Sequence, residues 1–225
     1  MTFFEQLVAQ TESERNALQA IPIVQECLAG QVSLPSYVAF LTQAYHHVSQ
    51  TVPLMRACRW ALPSRLAWMQ PALDEYIREE AGHDRWILDD LRACGVPRQA
   101  AIAAGPAFET EVMVAYAFDT IHRGHPLGFF GMVHVLEGTS VALALRAAER
   151  IQQTLRLPSE ALRYLRSHSE LDQDHTARFA ELMDRLDDPR DQQAVVHGAR
   201  SFYRLYGAIL GGLPRPTVAA GREAA

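Results

Sequence analysis

The chain has 225 residues, 48% of them hydrophobic, and a formal net charge of −5. It can therefore bury a substantial core, and without a basic run it lacks the clustered cationic surface that phosphate contacts need, so no nucleic-acid partner is expected. All 21 basic residues are arginines, which excludes Schiff-base chemistry and a phosphate loop of the Gly-Lys-Ser type.

In chain order, Thr2 to Ala29 is predicted as a first helix with Leu7, Leu18, Ile21 and Val24 in its apolar set and Gly30 ending it. Ser33 or Ser36 caps a second helix to about Leu62, kinked near Pro53, whose inward residues include Leu41, Tyr45, Val48, Val52 and Met55. His46 and His47 stand beside that stripe, either as ordinary partly buried histidines or as residues behind a ligand or touching substrate. Pro63 to Cys94 forms one helix or two, depending on Pro71, and Gly95-Val96-Pro97 stops it. Ala107 to Arg123 is a further long helix with Phe108, Val112, Ala115 and Phe118 suggesting broad burial. Another runs from Gly124-His125-Pro126 to about Leu155, a third from Pro158-Ser159 to Asp187-Asp188-Pro189, and a last from Asp191 to Leu213. No alternating run argues for strands. The expectation is an all-α bundle of about seven helices forming a single domain over 1–213, with a disordered tail over 214–225. No stretch reaches about 18 uninterrupted apolar residues, and the N-terminus lacks the pattern of a signal peptide, so no membrane partner and a cytoplasmic location are expected. Cys27, Cys58 and Cys94 have no metal or redox spacing and read as reduced thiols.

Three of these helices place polar side chains inside an apolar stripe. In SHSELDQDHTARFAELMDRL the shared face carries Leu165, His168, Asp172, His175, Phe179, Leu182 and Leu186. In ALDEYIREEAGHDRWILDDL it carries Leu73, Tyr76, Glu80, His83, Ile87 and Leu91, and in HPLGFFGMVHVLEGTSVALALRAA it carries Phe130, His134, Glu137, Val141, Ala144 and Ala148. A charge taken out of water costs several kcal/mol unless it is paired or coordinates a metal. One carboxylate and histidine three apart is usually a solvated or hydrogen-bonded couple; six candidates on three stripes are a different matter. Glu80, His83, Glu137, His168, Asp172 and His175 supply three carboxylates and three imidazoles, a first shell suited to two first-row ions. Glu79 competes with Glu80 for one place, the register with Tyr76 favouring Glu80. His134 reads as a core histidine or one lying behind the ligands.

The segments YIREEAGHDRWILDDL and HPLGFFGMVHVLEG, and above all the H-x3-D-x2-H pattern from His168 to His175, resemble the heme-oxygenase-like di-iron oxidases and oxygenases. Their superfamily also holds heme oxygenase, thiaminase II and pyrroloquinoline quinone synthase. The resemblance spans roughly residues 1 to 212. It implies a heme-oxygenase-like fold of seven helices, often a homodimer, using Fe(II) and O2 on small amino-acid or fatty-acid substrates, by N-oxygenation, C–C cleavage or oxidative decarboxylation. It places the same six residues as iron ligands. No histidine precedes His46 and no glycine-rich distal helix is visible, which argues against heme; the cysteine of thiaminase II has no counterpart on the Glu137 helix.

The first functional expectation is thus an O2-activating non-heme di-iron enzyme for a small-molecule substrate, with manganese an alternative occupant of one site and an external reductant a further partner. Arg56, Arg59 or Arg204 would meet a substrate carboxylate if they are not simply solvated. The second expectation is a metal-independent enzyme of the thiaminase II or pyrroloquinoline quinone synthase kind, using Glu80, His83 and Glu137 for proton transfer. The third is a non-catalytic helical module for metal storage or partner binding.

Overall fold

The computed structural model describes residues 1–215, the side chains of residues 168–174 excepted. The expected disordered tail thus lies outside the described residues apart from Pro214 and Arg215, and so do the side chains of His168 and Asp172. Among the described residues every regular element is helical: α1 Phe3–Gln10, α2 Glu12–Gln19, α3 Pro22–Leu28, α4 Leu34–Val48, α5 Thr51–Ala61, a 3₁₀ segment Ser64–Met69, α6 Gln70–Glu80, α7 His83–Ala93, α8 Arg98–Ala103, α9 Phe108–His122, α10 Gly128–Leu155, a 3₁₀ segment Ser159–Leu162, α11 Arg163–Asp184 and α12 Pro189–Gly211.

The helices outnumber the expected seven because three long predicted helices are each broken and α8 is a further short one. The first divides at Thr11 and again before Pro22. Thr11 is fully buried, and its hydroxyl donates to the Leu7 carbonyl at 2.7 Å. The second breaks at Ser49–Gln50, four residues before Pro53, because the proline ring collides with the carbonyl one turn upstream and brings no N–H of its own. The third breaks at Gly82, whose φ of 100° lies in the left-handed region that other residues avoid.

α10 is the central helix and packs on α9, α11 and α12. Its crossing with α12 is unusually close because both partners are glycine there. A Cβ on Gly131 would collide with the Ala199 amide nitrogen, and one on Gly198 with the Gly128 carbonyl. Phe129, Phe130, Phe179 and Phe202 fill the space around this crossing. A second apolar cluster, built on Tyr37, Leu41, Ile87, Leu91, Ala148 and Ile151, occupies the other end of α10. α10 is long and apolar enough to cross a membrane by length and composition, yet half of that window is buried inside the protein, the pattern of a core helix.

Three predicted burials do not hold; Ala115 is exposed because the inward face of α9 runs through Thr110, Met113, Ala117 and Ile121. Phe108 is 74% exposed because it opens α9, where no neighbouring turn covers it. Val141 is 38% exposed: the buried face of α10 passes from Glu137 through Ala144, Ala148 and Ile151, so the residue three after Glu137, Ser140, turns inward rather than the one four after.

Candidate functional site

The acids at the end of α6 and the imidazole at the start of α7 meet across a turn. Sequence spacing put Glu80 and His83 on one continuous helical face; instead α6 ends on Glu80, and the left-handed Gly82 redirects the chain so that His83 is the first residue of α7. The two still converge, His83 Nδ1 lying 3.1 Å from Glu80 Oε2. The Trp86 ring stacks on the His83 imidazole at 4.1 Å, and the Arg163 guanidinium sits 4.6 Å over Trp86, so the ring is clamped from its face as well as its edge.

α11 brings His175 between α6 and α10. This imidazole is 2% exposed, with Nε2 3.1 Å from Glu79 Oε2 and Nδ1 3.7 Å from Glu137 Oε1. Tyr76 packs edge-on against it at 5.6 Å, and burial raises the Tyr76 phenol well above its ordinary pKa. Glu79 accepts two hydrogen bonds from Arg178, at 2.9 and 3.0 Å, and Arg178 also pairs with Glu75 at 3.0 Å. Glu80, His83, Glu137 and His175 each engage at least one partner more.

Four of the six predicted ligands are therefore placed, Glu80 beside His83 and Glu137 beside His175, with Glu79 as a further carboxylate on His175. His168 and Asp172 lie on α11 by backbone only. Among the described residues no three of His, Cys, Asp and Glu are grouped as a metal site would group them. Pairwise spacing is nevertheless compatible with a cation, since two donors each about 2.1 Å from one ion stand roughly 3 Å apart. Mixed imidazole and carboxylate donors are also those that first-row metals accept, so the residues present fit such an ion.

The open choice between Glu79 and Glu80 takes an unforeseen form: Glu80 turns to His83, and Glu79 to His175. Arg178 and Trp86 were missed. Each lies three residues after a predicted ligand, the one on α11 and the other on α7, so the i,i+3 rule that singled out the ligands would also have found what supports them.

The remaining candidates separate cleanly. His134 is a core histidine: its Nε2 is 3.4 Å from the Thr11 hydroxyl, its ring stacks on Phe179, and burial lowers its pKa to about 4. His46 packs against Tyr45 and is also held below its ordinary pKa by burial. His47 is buried on the wall of a cavity, edge-on to Tyr206 at 6.0 Å. None of Arg56, Arg59 and Arg204 reaches that cavity. Arg59 is bound to Asp74 at 2.6 and 3.1 Å, and the other two are exposed.

The cavity measures about 200 Å³ and follows α10 from Phe129 to Ile151, with α3 and α4 opposite and Leu210 and Leu213 of the α12 end closing one side. At 1.5 Å per residue that is a length of about 33 Å, so the space is narrow for its length. Among the described residues Glu80 and Glu137 are the acidic groups on its wall, and no arginine lines it. For comparison, a cavity of about 150 Å³ takes benzene.

The sequence matches the family profile described as iron-containing redox enzyme over residues 38–207. No curated protein matches it significantly. Among solved structures, a domain of unknown function with a heme oxygenase-like fold from Shewanella denitrificans superposes with TM-score 0.82 at 22% identity, over 92% of this chain and 90% of that one. A TenA homolog from Pseudomonas syringae gives 0.77 at 13% identity, over 92% and 90%. Heme oxygenase from Leptospira interrogans gives 0.73 at 13% identity, over 95% and 100%. At these identities the structural likeness concerns the fold, and the fold is heme-oxygenase-like.

Proposed function

Because the chain belongs to the iron-containing redox enzyme family, we propose that it is an O2-activating non-heme di-iron oxidase or oxygenase for a small, mainly aliphatic substrate. The observation that carries this reading is His175, nearly without exposure, held between Glu79 and Glu137 where Glu137 reaches the cavity wall. Glu80, His83, Glu137 and His175, with His168 and Asp172, would hold two Fe(II) ions, manganese being an alternative in one place. Iron, when bound, supplies O2 binding and one-electron chemistry that these side chains cannot perform.

The chain's own residues do the rest. Trp86 and Tyr76 fix the planes of the two imidazoles, so the lone pairs are aimed before any ion arrives. Arg178 neutralises and orients Glu79 from the solvent side. The aliphatic wall excludes water from the site, and Glu137 carries the acidic function to the substrate side. An α-amino acid would bring paired charges to a wall that offers no arginine among its described residues, so an aliphatic substrate suits it better. A narrow, largely aliphatic cavity likewise favours a chain over the heteroaromatic ring that the metal-independent alternative requires. A cytoplasmic homodimer fed by an external reductant belongs to the same proposal.

Anaerobic titration with Fe(II) tests it: uptake of about two ions per chain is expected, followed by a transient visible absorbance on mixing with O2. Glu137→Ala and His175→Ala should each lower the uptake. A wild-type chain that takes up no iron sinks the reading.

A further inference from the structure

The cavity wall carries a serine hydroxyl that the described residues leave unused. Ser140 Oγ is buried on the wall and has no hydrogen-bond partner, not even the carbonyl one turn back that a helical serine commonly takes. A buried hydroxyl without a partner is unfavourable, and in a native fold such a group calls for an explanation. Three residues after Glu137, it stands on the same face of α10, one turn from that carboxylate. Beyond it the wall is small and apolar, through Ala144 and Ala147 to Ile151.

We propose that Ser140 is a specificity-determining residue whose hydroxyl hydrogen-bonds the single polar head group of an unbranched, medium-chain aliphatic substrate, with the chain running along Ala144, Ala147 and Ile151. Three features of the cavity set this class. Its volume of about 200 Å³, set against the 150 Å³ or so that holds benzene, allows roughly eight to ten non-hydrogen atoms. Its narrowness along α10 favours a chain one methylene wide over a ring system. Ser140 is a buried hydroxyl that nothing in the described fold engages, so a head group is matched there, and a second polar substituent further along the apolar stretch of Ala144, Ala147 and Ile151 is left unpaired. Ser140 thereby places the head group, and the first carbons next to it, one helical turn from Glu137.

The proposal deepens the oxidase reading, and its test uses iron-free protein in the absence of O2 reaction so that the two fail separately. Binding of 1-octanol, a neutral probe that the acids of the site do not repel, is measured by calorimetry and thermal shift, with n-octane as the headless control. Wild-type protein should bind 1-octanol, and Ser140→Ala should bind it about five- to tenfold more weakly while n-octane binding stays the same. Without ligand, Ser140→Ala should melt no lower than wild type, because it removes only an unsatisfied group. Ala147→Leu should shift the preference to shorter alcohols. The inference is overturned if wild type binds no alcohol, if Ser140→Ala binds octanol as wild type does, or if that variant is markedly less stable, which would reveal a structural partner for the hydroxyl. Retained octanol binding alongside absent Fe(II) uptake would remove the oxidase reading and leave this one standing.

Discussion

Asp90 is a residue whose buried charge opposes stability while its carboxylate caps a neighbouring helix. It lies on α7 two turns after His83, is fully buried, and accepts a hydrogen bond from the Tyr164 backbone N–H at 2.9 Å. The N-terminus of α11 has no side-chain cap of its own at Leu162, so Asp90 serves as its cap from another helix. Burial raises the Asp90 pKa to about 7; the backbone of Tyr164 and Arg163 and the Arg163 charge pull against this only in part. Because the folded state holds this proton more tightly than the unfolded chain, with its ordinary value near 3.8, stability falls as pH rises from about 4 to 7. Asp90→Asn keeps an acceptor without the charge, so its stability relative to wild type should rise across that window, by up to about 4 kcal/mol above pH 7. Urea midpoints at pH 4 and pH 8 check it; equal differences at both would show that Asp90 stays ionised. The same residue marks the limit of what could be read from sequence. Periodicity identified Leu165, Phe179, Leu182 and Leu186 as buried beside His175, and they are. It could not pair Glu79 with His175, nor Asp90 with Tyr164, because a face says where a residue points and not which helix arrives there.

At the scale of elements, the helical class was legible from the 3.6-residue pattern, and the breaks were less so. Pro53 was visible as a disruption, but it acts one turn upstream, at Ser49–Gln50. Gly82 was hidden between two strongly patterned segments, and the Glu80–His83 spacing survived the break because a left-handed turn brings the two side chains together much as a helix would. Two glycines, one on α12 and one on α10, play opposite parts. Gly198 sits where any Cβ would strike the Gly128 backbone, and backbone cannot rotate away as a side chain can. Gly198→Ala should therefore destabilise by about 1–3 kcal/mol or more, through forced separation of α10 and α12. Gly138 has nothing within 4 Å of its would-be Cβ and lies inside α10. Gly138→Ala should stabilise by about 0.5–1 kcal/mol, by restricting the unfolded chain and favouring helix. Denaturant unfolding of both variants measures the contrast, and a stable Gly198→Ala would mean that the crossing is looser than its geometry implies.

For the whole molecule, the candidate ligands belong to four helices: Glu79 and Glu80 close α6, His83 opens α7, Glu137 lies within α10, and His175 within α11. A cation held by them would join elements that are otherwise linked by apolar packing and by couples such as Arg178–Glu79. Binding to the folded state alone adds stability by mass action, about 2.7 kcal/mol at a hundredfold excess over Kd. In a chain of this size that corresponds to a rise in Tm of about 5–10 °C. Anaerobic Fe(II), or Mn(II) in air, should produce this rise in wild type and in Gly138→Ala, and a chelator should reverse it. His175→Ala and Glu137→Gln should lose most of it, because each removes a donor that ties α11 or α10 to the rest. Gly198→Ala should start from a lower Tm yet gain the same increment, since its damage lies at the α10–α12 crossing and leaves every ligand in place. An increment that disappears in Gly198→Ala but persists in His175→Ala would locate the cation elsewhere on the molecule. It would reduce the buried imidazole between two acids to a hydrogen-bonded core residue.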